Sequence, residues 1–125
     1  FFRNMKDAVD LYNTMTIKIP IETKQGVHTL PASSVIAVEA QGRKVVIHTT
    51  QRDFESIRNM QYWLELLPKN CFFQTHRSFI INFEHVTDFD RTLVHMADEQ
   101  FHAYLTKRKY SAFKEAYLLY LDSTR

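Results

Sequence analysis

At Thr16 the spacing of apolar residues changes from near-helical to every second position, and short strand-like runs dominate the chain from there on. Ile17, Ile19 and Ile21 alternate with Thr16, Lys18 and Glu22, the pattern of a half-buried strand. Pro20 puts that strand at an edge, because proline cannot donate to a ladder. Gln25-Gly26 is a turn signal, and Val27–Leu30 returns as the hairpin partner. Pro31-Ala32-Ser33-Ser34 breaks the pattern before Val35–Val38, which reads as a buried strand. Gln41-Gly42 opens a loop, and Lys44–Thr50 is again rich in β-formers. Further strands are expected at Phe72–Gln74, Ser78–Phe83 and Val86–Phe89, and a hairpin joins Leu93–Ala97 to Gln100–Leu105 through Asp98-Glu99. No strand-helix-strand rhythm appears, so a doubly wound cofactor fold is not expected.

Helices are few. Ile57, Met60, Trp63 (or Leu64) and Leu67 fall on one face, and Pro68 with Asn70 ends that helix. A terminal helix carries Tyr110, Phe113, Tyr117 and Leu121 on one face, with Thr106 as a candidate N-cap. Phe2, Met5, Val9 and Tyr12 mark residues 1–15 as a linker or an N-terminal helix, and residues 16–125 as the domain proper. The fold class expected is mostly β: small antiparallel β sheets with one central short helix and a C-terminal helix.

A chain of 125 residues, 45% hydrophobic, has enough apolar material for one core. Its apolar runs fall well short of the roughly 20 residues that a membrane helix needs. The opening residues, Phe1-Phe2-Arg3-Asn4-Met5-Lys6-Asp7, do not resemble a signal peptide, and the absence of an initial Met suggests a piece of a longer protein. Cys71 has no second cysteine to pair with, which suits a reducing cytoplasm, and it reads as a small core residue beside Phe72 and Phe73. Two glycines leave no room for a phosphate-cradling loop, and no nucleophile elbow, His-Glu-x-x-His or Cys-x-x-Cys is present. The chain is expected not to be an enzyme and to need no cofactor. A tight turn at Asp98-Glu99 would bring His95 opposite His102, but two imidazoles without a third ligand do not make a metal site.

The charge is segregated although its net value is only +2. Windows 40–52, 66–83 and 100–114 hold nine of the sixteen Lys and Arg and none of the fourteen Asp and Glu. Folded to one side, they would make the basic face that a phosphate partner requires. In the second window the polar cluster His76-Arg77-Ser78 leads into an apolar strand closed by Asn82. A strand anchored in the core holds such a cluster rigid and exposed. An arginine there can fork onto a guanine edge or a phosphate, or pair with a surface carboxylate.

The heptapeptide His76-Arg77-Ser78-Phe79-Ile80-Ile81-Asn82 resembles the HRSYIVN signature of the LytTR family, the C-terminal DNA-binding domain of a class of bacterial response regulators. Val38-Glu39-Ala40-Gln41-Gly42-Arg43 resembles that family's strand ending in Glu-Ala before a DNA-facing loop. Phe54–Leu67 fits its strand-then-helix segment, and Phe72-Phe73-Gln74 its lead-in to the signature. Leu105-Thr106-Lys107-Arg108-Lys109-Tyr110 resembles its closing Ser-Arg-Arg-x-Tyr motif. The resemblance covers about residues 16–120 and implies DNA binding through loops laid into successive major grooves. It implies DNA-contacting positions at Arg43 with Lys44, at His76 with Arg77, and at Lys107 with Arg108, one group in each acid-free window. Lys107 stands where the family usually has Arg, which favours phosphate contact over bidentate base reading there. Asp98-Glu99 stands where many members have Asp-Gly, which leaves the register of that hairpin open.

The reading that follows is sequence-specific binding to double-stranded DNA carrying repeated sites. A second copy would sit alongside, and a receiver domain, absent from this chain, would precede it. Two rivals differ in what they expect. A protein-interaction module would dock a partner on the aromatic terminal helix, through Tyr110, Phe113, Tyr117 and Tyr120. A single-stranded RNA binder would need exposed aromatics beside the arginines, and no window clearly offers one.

Overall fold

The computed structural model describes residues 13–124. The expected helical stripe at Phe2, Met5, Val9 and Tyr12 lies outside the described residues; residues 13–16 are helical, and Met15 is buried.

Among the described residues ten strands form three antiparallel sheets. β1 (Lys18–Thr23) pairs with β2 (Gly26–Pro31) as a two-stranded ribbon. β3 (Val35–Gln41), β4 (Lys44–Thr49), β5 (Asp53–Ser56), β6 (Phe72–His76) and β7 (Phe79–Asn82) make a five-stranded sheet in the order β5-β4-β3-β7-β6. β8 (Val86–Phe89), β9 (Leu93–Met96) and β10 (Phe101–Tyr104) form the third, in the order β10-β9-β8. Besides the helical residues 13–16, the described residues include the helices α1 (Met60–Leu66) and α2 (Tyr110–Ser123). The mostly β architecture read from the period-two runs is the one observed.

The central strands explain the unbroken apolar runs. All four residues of β7 and the first four of β3 are buried, as strands covered on both faces require. Phe79 meets Phe101 at 6.1 Å and Tyr104 at 5.6 Å, both on β10. Its neighbour Ile80 lines a groove with Trp63 of α1. The indole N–H of Trp63 donates to Ser56 Oγ at 3.0 Å, so its burial leaves no polar atom unpaired. Asn82 closes β7 by donating to the carbonyls of Val35 (2.8 Å) and Ala32 (3.3 Å). Its Oδ1 accepts from the Glu84 amide at 3.0 Å.

The central helix starts later than its apolar spacing suggests. Ile57 fits the stripe but is 57% exposed. Ser56 Oγ accepts from the Arg58 amide at 2.9 Å, and Asn59 caps the helix by accepting from the Tyr62 amide at 2.9 Å. These side-chain bonds offer the backbone a bend in place of a first helical turn.

Rings dominate the packing of α2. Phe113 touches Phe73 at 5.5 Å, Phe83 at 5.6 Å and Phe89 at 4.9 Å, while Tyr120 touches Phe83 at 5.4 Å. Phe113 and Tyr120 are therefore buried, and Tyr110 and Tyr117 are half-buried. The aromatic face that a docking partner would need is already used by this core. Cys71 is buried as expected, and desolvation, with Glu84 nearby, pushes its thiol up to about 12.

Candidate nucleic-acid interface

Glu39 of β3 pairs with Phe79 of β7. The β3–β4 turn, Gly42-Arg43, and the β6–β7 turn, Arg77-Ser78, therefore leave the five-stranded sheet at the same end. Beyond the last ladder pair, the Ala40 amide donates to the Ser78 carbonyl at 2.9 Å and ties the turns together. Gly42 has φ +63°, which makes glycine the fitting first residue of this two-residue turn and leaves Arg43 at its exposed tip.

The second turn is set by His76 and by a bulge. Register shifts between Gln74 and His76, so Thr75 is the extra residue, and the strand is re-aimed just before the turn. The Ser78 amide donates to His76 Nδ1 at 3.0 Å. Since an amide only donates, Nδ1 is the acceptor, and the neutral ring keeps its proton on Nε2 as a donor. Arg77 projects, exposed, from this pinned turn.

The closing segment lies along the outer edge of β6. The Thr106 amide donates to the Thr75 carbonyl at 3.0 Å, and Lys109 Nζ donates to the Gln74 carbonyl at 3.1 Å. Thr106 caps the 3-10 turn Lys107–Lys109, accepting from the Lys109 amide at 3.2 Å. Burial, with Arg108 beside it, holds the Lys109 ammonium below the usual lysine range. Gln74, His76, Arg77, Thr106, Arg108 and Lys109 together line a groove of about 290 Å³.

The structure thus gathers Arg77, His76 and Arg108 around one groove and places Arg43 on the turn joined to it. Lys107 is exposed immediately before Arg108 but does not line that groove. Among the described residues Arg43, Arg77, Lys107 and Arg108 have no ion-pair partner, so their charges are free for an external anion. Lys44 differs: its Nζ lies 3.9 Å from Glu55 Oε1. The acid-free windows do not gather whole. Arg52 follows the far end of β4, its guanidinium 4.5 Å from the Phe54 ring, and Lys69 precedes β6, bonded to the Leu64 carbonyl.

Two features were missed from sequence. Tyr104 is 60% exposed, with its ring 5.9 Å from His76, so an aromatic does stand beside the Arg77 turn. The alternation of buried Ala103 and Leu105 was the available signal, since it turns Tyr104 outward. His48, held between Glu39 and Asp53, gave no such signal. The open register of the last hairpin is settled: His95 pairs with His102, their rings 4.5 Å apart. Among the described residues no group of three or more His, Cys, Asp or Glu is placed to hold a metal ion.

A family model for the LytTr DNA-binding domain matches residues 25–118. The chain belongs to the LytTr DNA-binding domain family. The solved LytTr DNA-binding domain of a Bacillus cereus methyl-accepting/DNA response regulator superposes with a TM-score of 0.67 at 27% identity, covering 79% of this chain and 94% of that one. The transcriptional regulatory protein NatR of Bacillus subtilis is 29% identical over 105 residues, 80% of this chain and 45% of NatR. The sensory transduction protein LytR of Staphylococcus epidermidis is 29% identical over 80 residues, 64% of this chain and 32% of LytR. This LytTr domain therefore spans less than half the length of NatR and of LytR. Its family is a DNA-binding class, not an enzyme class, and among the described residues no helix is long and apolar enough to cross a membrane.

Proposed function

We propose that this LytTr domain is the output module of a transcriptional response regulator and reads duplex DNA with the turns at one end of its five-stranded sheet. Arg43 and Arg77 read base edges, each guanidinium fork matching the paired acceptors of guanine in the major groove. Lys107 and Arg108 contact phosphates and set the register, with Lys44 adding charge once released from Glu55. His76 pins the Arg77 turn through Nδ1 and donates to the DNA through Nε2. The observation that carries this reading is the convergence of two bonded turns and the closing segment, each bearing a cation without a carboxylate partner among the described residues.

The greater length of the relatives supports an upstream receiver domain in the intact regulator. A domain with one reading end suits repeated sites, each taken by one copy, and the DNA places the protein in the cytoplasm. Residues 1–15 are the linker or N-terminal helix that would join the domain to the receiver.

The test is selection of bound duplexes from a random pool, followed by titration of the winner against scrambled DNA over a range of salt. The expected outcome is a preference of at least about a thousandfold at physiological salt, with affinity falling steeply as salt rises. Equal affinity for both duplexes would defeat the reading.

A further inference from the structure

His48 of β4 lies between two carboxylates. Its Nε2 is 2.8 Å from Glu39 Oε1 and its Nδ1 is 3.0 Å from Asp53 Oδ1. A neutral imidazole has one N–H and one lone pair, so it can donate to only one of these oxygens and must turn a lone pair on the other. Only the imidazolium satisfies both. The His48 side chain is 13% exposed and the Phe101 ring packs against it at 4.3 Å, which limits replacement of the 21% exposed Glu39 by water, while Asp53 faces solvent at 61%.

The clamp reaches the DNA-facing turn through Glu39. The same Oε1 accepts from Gln41 Nε2 at 3.0 Å, and Gln41 is the last residue of β3 before Gly42-Arg43. A chain of polar contacts therefore runs from Asp53 through His48 and Glu39 to the base of the Arg43 turn. The groups facing the ring are Glu39 from β3, Asp53 from β5 and the uncharged Phe101 from β10. The nearby cations are engaged elsewhere, Lys44 with Glu55 and Arg52 over Phe54.

We propose that His48, as an imidazolium, is a positioning residue for the Arg43 turn, and that DNA recognition by this turn weakens as the ring loses its proton. The proposal rests on the DNA-binding reading above. Proton loss acts twice. It sets a lone pair against a carboxylate and loosens the hold on Gln41. It also takes the cluster from −1 (two carboxylates, one imidazolium) to −2 beside a polyanion. The sign is fixed by geometry: the bonds exist with the proton on, so affinity is full at the acidic end and falls as pH rises.

The experiment titrates the selected operator with wild type, His48→Gln and Arg43→Ala between about pH 5 and 8, alongside the imidazole nitrogen NMR spectrum of the free protein. The difference between wild type and His48→Gln is the readout. Wild-type affinity should fall about fivefold more across the range than that of His48→Gln. The base preference lost in His48→Gln should coincide with the position that Arg43→Ala relaxes. Should His48→Gln fail to fold, Asp53→Asn replaces it: the midpoints of ring titration and affinity should move to lower pH together. Equal pH profiles for wild type and His48→Gln, a preference lost at the Arg77 position instead, or a neutral ring at the acidic end would each overturn the proposal. So would an Asp53→Asn variant that leaves both midpoints in place. A wild type that selects no duplex at all removes the DNA reading instead, which separates the two failures.

Discussion

The backbone amide of Ala40 donates to the carbonyl of Ser78 across 2.9 Å, joining two turns that are far apart in sequence. A reading surface built from loops needs such a brace, because every loop ordered on binding subtracts from affinity. Here the ladder between β3 and β7 is extended by one bond, which braces the Arg43 turn against the Arg77 turn.

Native-state hydrogen exchange tests this brace. The Ala40 amide should exchange with the slow class that opens only on global unfolding, while the Arg43 amide at the exposed tip should exchange fast. Comparable rates for the two would show that the turns open independently.

Arg77→Ala separates binding from folding. Arg77 is exposed and free of ion pairs among the described residues, between His76 held at the turn and Phe79 in the core. Its loss should shift stability by less than about 0.5 kcal/mol but cost about 1–3 kcal/mol of operator affinity, with preference relaxed at one base position. Arg77→Lys should retain most of the affinity if the contact is to phosphate and lose most of it if the contact is a fork onto guanine. A thermal melt beside titrations against single-base variants decides it. Unchanged affinity in Arg77→Ala would remove this residue from the interface.

Much of this was legible because central strands and exposed turns leave strong one-dimensional marks. The apolar runs at β3 and β7, and the polar cluster between β6 and β7, located the sheet and one of the turns at its end. What failed did so for physical reasons. The window 40–52 covers the whole of β4, so its cations sit at both ends of a strand, and Arg52 could not join Arg43. Ile57 obeys helical spacing, yet Ser56 and Asn59 supply side-chain bonds that start the helix later. His48 is illegible because its partners come from two neighbouring strands, and nothing short of the β3-β4-β5 register brings three polar residues into contact.

Asn82, the last residue of the signature heptapeptide, acts as a bolt rather than a DNA contact. It is fully buried and makes three hydrogen bonds to backbone, two as donor and one as acceptor. Asn82→Leu keeps the approximate volume but removes the partner of the Val35 carbonyl and of the Glu84 amide, while the Ala32 carbonyl keeps the Val35 amide. The expected loss is about 2–4 kcal/mol of stability. Chemical denaturation measures it, and folded molecules should retain their base preference at every position. A variant as stable as wild type would show that these bonds contribute nothing net.

The loop between β9 and β10 stores strain that glycine can release. Ala97, Asp98 and Glu99 have φ of +53°, +55° and +68°, three successive residues in the left-handed region. That region costs a residue with a Cβ about 1–2 kcal/mol, and Asp tolerates it better than Ala or Glu. Ala97 is half-buried, its amide donates to the His85 carbonyl at 3.0 Å and its carbonyl accepts from the Gln100 amide at 3.1 Å, so it is poorly suited to replacement. Glu99 is exposed and makes no side-chain hydrogen bond or ion pair among the described residues. Glu99→Gly gives up some unfolded-state restriction but relieves the steric penalty, for an expected net gain of about 0.5–1 kcal/mol. Glu99→Val, β-branched at the same φ, should lose at least about 1 kcal/mol. Thermal melts of the pair give opposite signs if the backbone holds this geometry, and operator affinity should be unaffected in both. A glycine variant less stable than wild type would mean that the loop relaxes out of the left-handed region in solution.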